Sequence, residues 1–402
     1  MHRAQLFVVL LAAVVAPALS QPLLTGFEDL SEFKPVGDTV FEPSTEAHEG
    51  ATSIKVTMPG QVSGKVLDNY PPQEYDDYAG VSFWVKGDGS QEWGCIALQG
   101  DGSNAGYRYC TFFPLASTEW RKVEVPWDDW IPEGPFNPIG TPGALPPSGI
   151  QWVRVGTRWN IGHNNAPIPQ HTYWVDEVRL EQDLPEVAAP PDPAPFAGVI
   201  AKLRAKQPVH IVCMGDSITA GTALPDKDAQ RYATLLQSLL RERLGYAEIF
   251  VESRAVGGAR LTDARAWVDR DFQGSAPDLV TTLYGYNDKS GTFSAYQFAD
   301  SLEDYLLRIR RVTGGETALL PMTTIPGAGP RFVMMDDFAR AVEDVADSWR
   351  LPCLDLAEAL KGQGRDGLLP LMADMAHPNA EGHQLMAQAI ADYLVEQVEG
   401  LQ

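Results

Sequence analysis

Two textures of apolar and polar positions divide the chain. Up to residue 182, apolar residues alternate with polar ones over short stretches, as where Val81, Phe83 and Val85 interleave with Ser82, Trp84 and Lys86, and Gly, Pro, Asp and Asn cut the stretches apart. A period of two sends successive side chains to opposite faces, so each stretch reads as a strand with one buried and one solvated face. Strands are predicted at 53–58, 80–86, 94–98, 108–113, 121–126, 151–156 and 172–180. With their frequent turns they imply an all-β sandwich over residues 21–182. After residue 199 the apolar runs become continuous, as in Val209-His210-Ile211-Val212-Cys213-Met214. Between them apolar residues recur at helical spacing, as in Tyr232, Leu235, Leu236, Leu239, Leu240 and Leu244 before Gly245. Parallel strands at 209–214, 248–253, 279–284, 317–323 and 351–354, wrapped by helices on both faces, are expected to form a three-layer α/β domain over 199–402.

Residues 183–198 are rich in proline and lack periodicity, as a stiff linker does. Residues 1–20 combine a basic start at His2 and Arg3, an apolar run from Leu6 to Val15, and Ala18-Leu19-Ser20. That pattern predicts a secretory signal peptide and a secreted protein, extracellular or periplasmic, because the run is too short to span a bilayer. The 53 acidic side chains outnumber the 31 basic ones, for a net charge of −22 spread along the chain, which argues against a nucleic-acid partner and suits a neutral substrate. Of the four cysteines, Cys95 and Cys110 sit symmetrically about a turn-forming stretch at 99–106, and a cross-strand disulfide is expected between them. Cys213 and Cys353 fall inside predicted strands, where free thiols are ordinarily inert core groups. None of the spacings matches a zinc site.

Chemistry concentrates where predicted strands end. Gly215-Asp216-Ser217 follows the first α/β strand, and Asp374-Met375-Ala376-His377 lies near the C-terminus. A serine hydroxyl is a weak nucleophile that needs a base within hydrogen-bond reach and donors for the developing oxyanion. Ser217 is the candidate nucleophile, His377 the base, and Asp374 the carboxylate that holds the imidazole tautomer. Pro378 is expected to open the following helix and so to fix the turn. Gly257-Gly258 after the second strand and Asn287 after the third supply an approachable backbone N–H and a neutral amide, which with the Ser217 N–H make three candidate oxyanion donors. His383, six residues beyond His377, is expected to pack or cap rather than react.

These four blocks, in this order, resemble those of the SGNH, or GDSL-type, hydrolase family. The resemblance covers roughly the second half of the chain. It implies Ser217 as nucleophile, Gly258 and Asn287 in the oxyanion hole, His377 as base and Asp374 as its partner, with no cofactor for catalysis. Ser253 stands in the neighbourhood where members of the family often carry an asparagine. No serine lies in a Gly-x-Ser-x-Gly setting, which sets the chain apart from the other common esterase fold.

The first domain, from Gly26-Phe27-Glu28 to Trp174–Leu180, resembles the jelly-roll, galactose-binding-like carbohydrate modules. That resemblance implies a structural calcium with Glu28, Glu49 and Asp176 as ligands, against the alternative of surface carboxylates without metal. Trp93, Tyr107, Tyr109, Trp127, Trp130 and Trp159 lie near turns, where aromatic faces can stack on sugars, whereas for Trp84, Trp152 and Trp174, which lie within strands, a place in the core stands as an equal alternative to stacking. An N-terminal sandwich joined to this kind of hydrolase is similar to bacterial esterases that deacetylate xylan or glucomannan. An acetylated polysaccharide or oligosaccharide is therefore the expected partner, without a membrane span. Two alternatives stay open: a lipolytic esterase or thioesterase, with Ile325, Phe332, Val333, Met334 and Met335 as an acyl wall, and a sugar-binding protein whose hydrolase half is inactive.

Overall fold

Alternation in the first half and continuous runs in the second predict two kinds of sheet, and both are present in the computed structural model. It describes residues 22–34, 40–58, 63–66, 71–100, 108–132, 147–156, 169–185 and 196–400. The expected signal peptide, Tyr107, Trp159 and most of the expected linker lie outside the described residues.

The strands of the N-terminal domain are β1 (Leu23–Thr25), β2 (Phe33–Lys34), β3 (Val40–Ser44), β4 (Ser53–Met58), β5 (Ser63–Val66) and β6 (Gly80–Lys86). They continue as β7 (Trp93–Gln99), β8 (Arg108–Pro114), β9 (Arg121–Pro126), β10 (Ile131–Pro132), β11 (Trp152–Val155) and β12 (His171–Glu181). One antiparallel sheet runs β3-β4-β12-β6-β9 with β1 added beside β12, and the other runs β10-β8-β7-β11-β5-β2. Ile54, Val81, Phe83 and Val175 of the first meet Ile96, Leu98, Phe113 and Val153 of the second in one buried core. Burying a side chain of this kind stabilises the fold by about 1.5–3 kcal/mol, and the alternation is what delivers the set to one side. Ser82 faces outward as predicted and yet is only 2 % exposed, because it donates to Glu181, which Lys122 also holds at 2.8 Å.

The aromatic residues sort differently from expectation. Tyr109 and Trp130 are core residues, each 1 % exposed, whereas Trp84 and Trp174 are half-buried on the outer face of the first sheet. The His48 ring stacks on Trp84 at 3.5 Å, and Lys86 Nζ sits 5.5 Å from the Trp174 ring centre. Even spacing placed Trp84 opposite Phe83, so the strand period carries more information here than residue type.

The hairpin β7–β8 corrects the disulfide. Its register sets Cys95 against Phe112 and Cys110 against Ala97, two residues out of the symmetric pairing, and both cysteines are buried thiols outside any disulfide. Diagonal neighbours across a pair of strands stand about 7–8 Å apart, beyond the roughly 4.4–6.8 Å between Cα atoms that a disulfide spans.

The three expected calcium ligands all lie in or against the 45–52 loop. Glu28 accepts from the Ala51 N–H at 2.9 Å and from Thr52 Oγ1 at 3.4 Å. Asp176, fully buried beside a bulge in β12, accepts the N–H groups of His48 and Glu49 at 2.8 and 3.2 Å through Oδ2, while Oδ1 has no hydrogen-bond partner. The Glu49 carboxyl is raised above its ordinary value first by its hydrogen bond to Glu177 and by that neighbour's charge. Among the described residues no group of three His, Cys, Asp or Glu side chains is arranged to hold a metal ion. The Asp176 contacts fasten the 45–52 loop to β12.

The C-terminal domain is built on four parallel strands, β13 (Val209–Gly215), β14 (Ile249–Ser253), β15 (Leu279–Leu283) and β16 (Ala318–Pro321), in the order β14-β13-β15-β16. The fifth expected strand is reduced to a single bridge between Met322 and Leu354. Pro352 lies within that segment and has no N–H to give a ladder. Helices Tyr232–Leu244 and Ala380–Glu399 pack against each other, as do Ala295–Val312 and Asp336–Trp349, and these two groups are the layers that flank the sheet. Among the described residues no helix is long and apolar enough to cross a membrane.

Candidate active site

The turn after β13 is built around what cannot be placed there. A Cβ on Gly215 would lie 2.1 Å from Thr219 Oγ1 and 2.8 Å from the Leu283 carbonyl oxygen, so only glycine lets the chain leave the central strand so close to its neighbour. Asp216 caps the short helix Ser217–Ala220 by accepting the Ile218 N–H at 2.9 Å, which puts Ser217 at the first helical position with its side chain half-buried.

Ser217 Oγ lies 2.9 Å from His377 Nε2, and His377 Nδ1 lies 2.8 Å from Asp374 Oδ2. Residues 160 apart in the chain are thus brought within hydrogen-bond reach. The 374–377 turn is self-supporting: Asp374 Oδ1 accepts the N–H groups of Ala376 and His377 at 2.7 and 2.8 Å, and Ala373 N–H donates to the His377 carbonyl at 2.8 Å. Burial would raise the Asp374 carboxyl, but those N–H donors and the His377 ring outweigh it and hold the group below the usual carboxylate value. Tyr286 Oη and the Ala328 N–H both donate to the Met375 carbonyl at 3.1 Å, clamping the turn from the opposite wall.

The helix that follows begins at Ala380, not at Pro378. Asn379 is its cap, accepting the Gly382 N–H at 3.0 Å, and Pro378 instead bridges back to Met372. An asparagine side chain satisfies an orphan helix N–H and proline cannot, so the cap falls on the later residue.

Gly258 adopts φ +79° with open space around it, the left-handed conformation that favours glycine, at an exposed point of the loop after β14. Gly257 does not share that conformation. Asn287 stands in the first turn of helix Tyr286–Ser290, and its Nδ2 donates to the Ala259 carbonyl at 3.0 Å and to Asp216 Oδ2 at 3.3 Å. An amide NH₂ has two hydrogens, and these two contacts engage both.

Asp216 and Asp288 were not singled out in the sequence, although the first is visible as a cap directly before the serine. Asp288 is fully buried and receives the Leu261 N–H on both oxygens at 3.0 and 3.1 Å. Asp216 is 1 % exposed, and burial, together with the Asp288 charge, pushes its carboxyl up from 3.8 to about 7 despite the Ile218 N–H. Between those values the folded chain keeps a proton that the unfolded chain loses, so stability falls as pH rises through that window and the full cost, on the order of 4 kcal/mol, stands above it. Asp216→Asn, which keeps a good cap, is expected to have a higher melting temperature than the parent at pH 8 and a flatter profile from pH 5 to 8. Parallel profiles in a calorimeter would show that Asp216 does not carry this linkage.

His383 is buried, accepts the Tyr232 N–H on Nδ1 at 3.2 Å, and is held at about 4 by burial first and the His377 charge second. It packs two helices together. Of the expected acyl wall, Ile325 and Met335 are buried, Phe332 and Met334 pack against the domain core, and Val333 alone is widely exposed.

Residues 213–385 match the GDSL-like lipase/acylhydrolase family. The C-terminal domain belongs to that family. Its match opens at Cys213, two residues before the Gly215-Asp216-Ser217 turn, and closes inside the helix that follows His377, so it takes in Ser217, Gly258, Asn287, Asp374 and His377. Residues 35–144 match the family 11 carbohydrate-binding domain, which falls within the jelly-roll sandwich. An acetylxylan esterase of Xylanibacter ruminicola is 24 % identical over 209 residues, which cover 46 % of this chain and 42 % of that protein. The chain therefore spans less than half the length of this curated relative. Among solved structures, a lipase/acylhydrolase from Enterococcus faecalis is 21 % identical with a TM-score of 0.40, covering 46 % of this chain and 95 % of that one. An acetylxylan esterase from Geobacillus stearothermophilus is 21 % identical with a TM-score of 0.39, covering 46 % of this chain and 94 % of that one.

Proposed function

We propose that the protein is a secreted serine carboxylic ester hydrolase that removes acetyl groups from a polysaccharide of the xylan or glucomannan type through an acyl-enzyme. The relay of Ser217, His377 and Asp374, with contacts of 2.9 and 2.8 Å, carries this reading. Ser217 Oγ attacks the acetyl carbonyl carbon as its proton passes to His377 Nε2, and the resulting oxyanion takes the N–H groups of Ser217 and Gly258 and the Asn287 amide. Collapse breaks the bond to the sugar oxygen, which leaves with the proton from His377. Water then gives a proton to His377 and its oxygen to the acyl carbon, and release of acetate returns the proton to Ser217. No step calls on a cofactor.

The glycan part of the reading is supported by the family 11 match in the sandwich and by the name of the curated relative. Export is supported by residues 1–20 of the sequence. The apolar segment that would serve a long acyl chain is mostly spent on the domain core, which favours a short acyl group. A series of p-nitrophenyl esters from acetate to decanoate is expected to give the highest kcat/KM on acetate, and acetate should be released from acetylated xylan or glucomannan. A preference for octanoate or longer would replace this reading with a lipolytic one.

A further inference from the structure

The outer face of the second sheet is turned toward the catalytic domain. Cys95, Ala97, Cys110 and Ile131 on that face are each no more than 5 % exposed and form a small apolar cluster of their own, against which Ala266 of the α/β domain packs. Beside the cluster lies a line of alternating charges. Asp129, in the turn between β9 and β10, receives Arg311 Nη1 on Oδ1 at 2.7 Å and Arg308 Nη1 on the same oxygen at 3.3 Å, while Arg308 Nη2 donates to the Asp129 carbonyl at 3.0 Å. Arg308 Nε pairs with Asp304 at 3.0 Å, and Asp304 pairs with Arg265 at 3.2 Å. Arg265 is 2 % exposed. A cation so deeply placed is costly unless its partners are held in position.

Arg265 and Ala266 belong to the segment that carries the oxyanion loop. From Gly258 the chain runs through Ala259, whose carbonyl takes the Asn287 amide, and Leu261, whose N–H takes Asp288, into helix Leu261–Ala264 and the turn Arg265–Trp267. Seven residues lie between Gly258, the oxyanion donor of the acyl-enzyme reading, and the domain contact at Ala266. Rigid helical turns fill most of that distance.

We propose that the sandwich is a positioning element of the acyl-transfer site: docked through Asp129 and its apolar face, it holds the 258–267 segment so that the Gly258 N–H stands where the oxyanion forms. This rests on the reading of Gly258 and Ser217 given above. Asp129 touches no reacting atom and acts through Arg308, Asp304 and Arg265. The contact takes up the part of that outer face formed by β7, β8 and β10.

The intact protein carries its own reporter, because Cys95 and Cys110 lie inside the joint. In Asp129→Ala, iodoacetamide labelling of these two thiols, read by peptide mass spectrometry, is expected to accelerate at least about tenfold, with kcat on p-nitrophenyl acetate falling about tenfold, since a displaced oxyanion donor acts on the transition state alone. KM should move less than about twofold. Asp129→Glu should restore part of both readouts, and Ala266→Arg, which wedges the joint without touching the ion pairs, should reproduce the loss. Open thiols with unchanged kcat in either variant would overturn the proposal. Thiols that stay closed in both would overturn it too, by showing that neither Asp129 nor the Ala266 contact holds the joint. Ser217→Ala, measured alongside, separates the two levels: full activity there removes the acyl-enzyme reading itself, whatever the interface variants show.

Discussion

Ser217→Ala is expected to lower kcat on a soluble acetyl ester by about a millionfold, and His377→Ala by about as much, with the double variant no worse than either. The two groups act as one device. Without the base the hydroxyl keeps its proton, and without the hydroxyl the base has nothing to activate except water, so removing the second part costs nothing further. The 2.9 Å contact between Oγ and Nε2 predicts this non-additivity. Residual turnover would come from substrate binding and the oxyanion donors. Far-UV circular dichroism and the melting temperature should match the parent, since Ser217 is half-buried and its helix is capped by Asp216 rather than by the serine. Substantial activity in a folded Ser217→Ala would exclude the acyl-enzyme.

Asp374→Asn is expected to cost about a thousandfold in kcat, less than the roughly 10⁴ known for a buried orienting carboxylate, because this side chain is 49 % exposed and water can replace part of its role. Asparagine can keep the acceptor that holds the Ala376 and His377 N–H groups, so the turn should survive. What changes is the atom facing Nδ1: an amide N–H there requires a ring nitrogen lone pair, which puts the proton on Nε2 and disables the base. The same substitution has a stability signature. A carboxylate held below its ordinary value stabilises the fold above that value, and its contribution is lost only as pH falls through the lowered one. The melting-temperature difference between parent and variant should therefore be constant near neutrality and shrink in acid below pH about 4, the ordinary aspartate value. Equal kcat in the two proteins would reduce Asp374 to a turn residue.

Much of this site could be read from the sequence, because its elements are local. Gly215-Asp216-Ser217 and the 374–377 turn each depend on a few neighbouring residues, and the strands before Ser217 and Asn287 are continuous apolar runs with one interpretation. What escaped depends on distance. The Asp216–Asn287 contact joins residues 71 apart, and the Asp288–Leu261 contact joins loops from two strands, so neither leaves a spacing in the sequence. The cysteine pairing failed on register: a turn of unspecified length leaves the symmetric and the two-shifted hairpin equally compatible with the pattern, and alternation keeps both thiols on one face in either case. The aromatic residues sorted by the face they occupy, which nearness to a turn does not reveal: Tyr109 and Trp130 point into the core, and Trp84 and Trp174 face outward. Pro352, present in the sequence, was sufficient reason to doubt the fifth strand.

The long separation between nucleophile and base has a consequence for how the protein acquires activity. The sheet is parallel, so its pairings close only after each crossover is made, and such non-local contacts form slowly. Ser217 is positioned by β13 and its capped turn, but His377 is presented by a turn anchored on the Ala380–Glu399 helix, which must dock on the helix after β13 before the 2.9 Å contact exists. A nascent or clipped chain that ends short of that helix holds a serine whose base is absent or unanchored. Esterase turnover in a refolding experiment should thus report the last long-range docking step, later than the recovery of secondary structure.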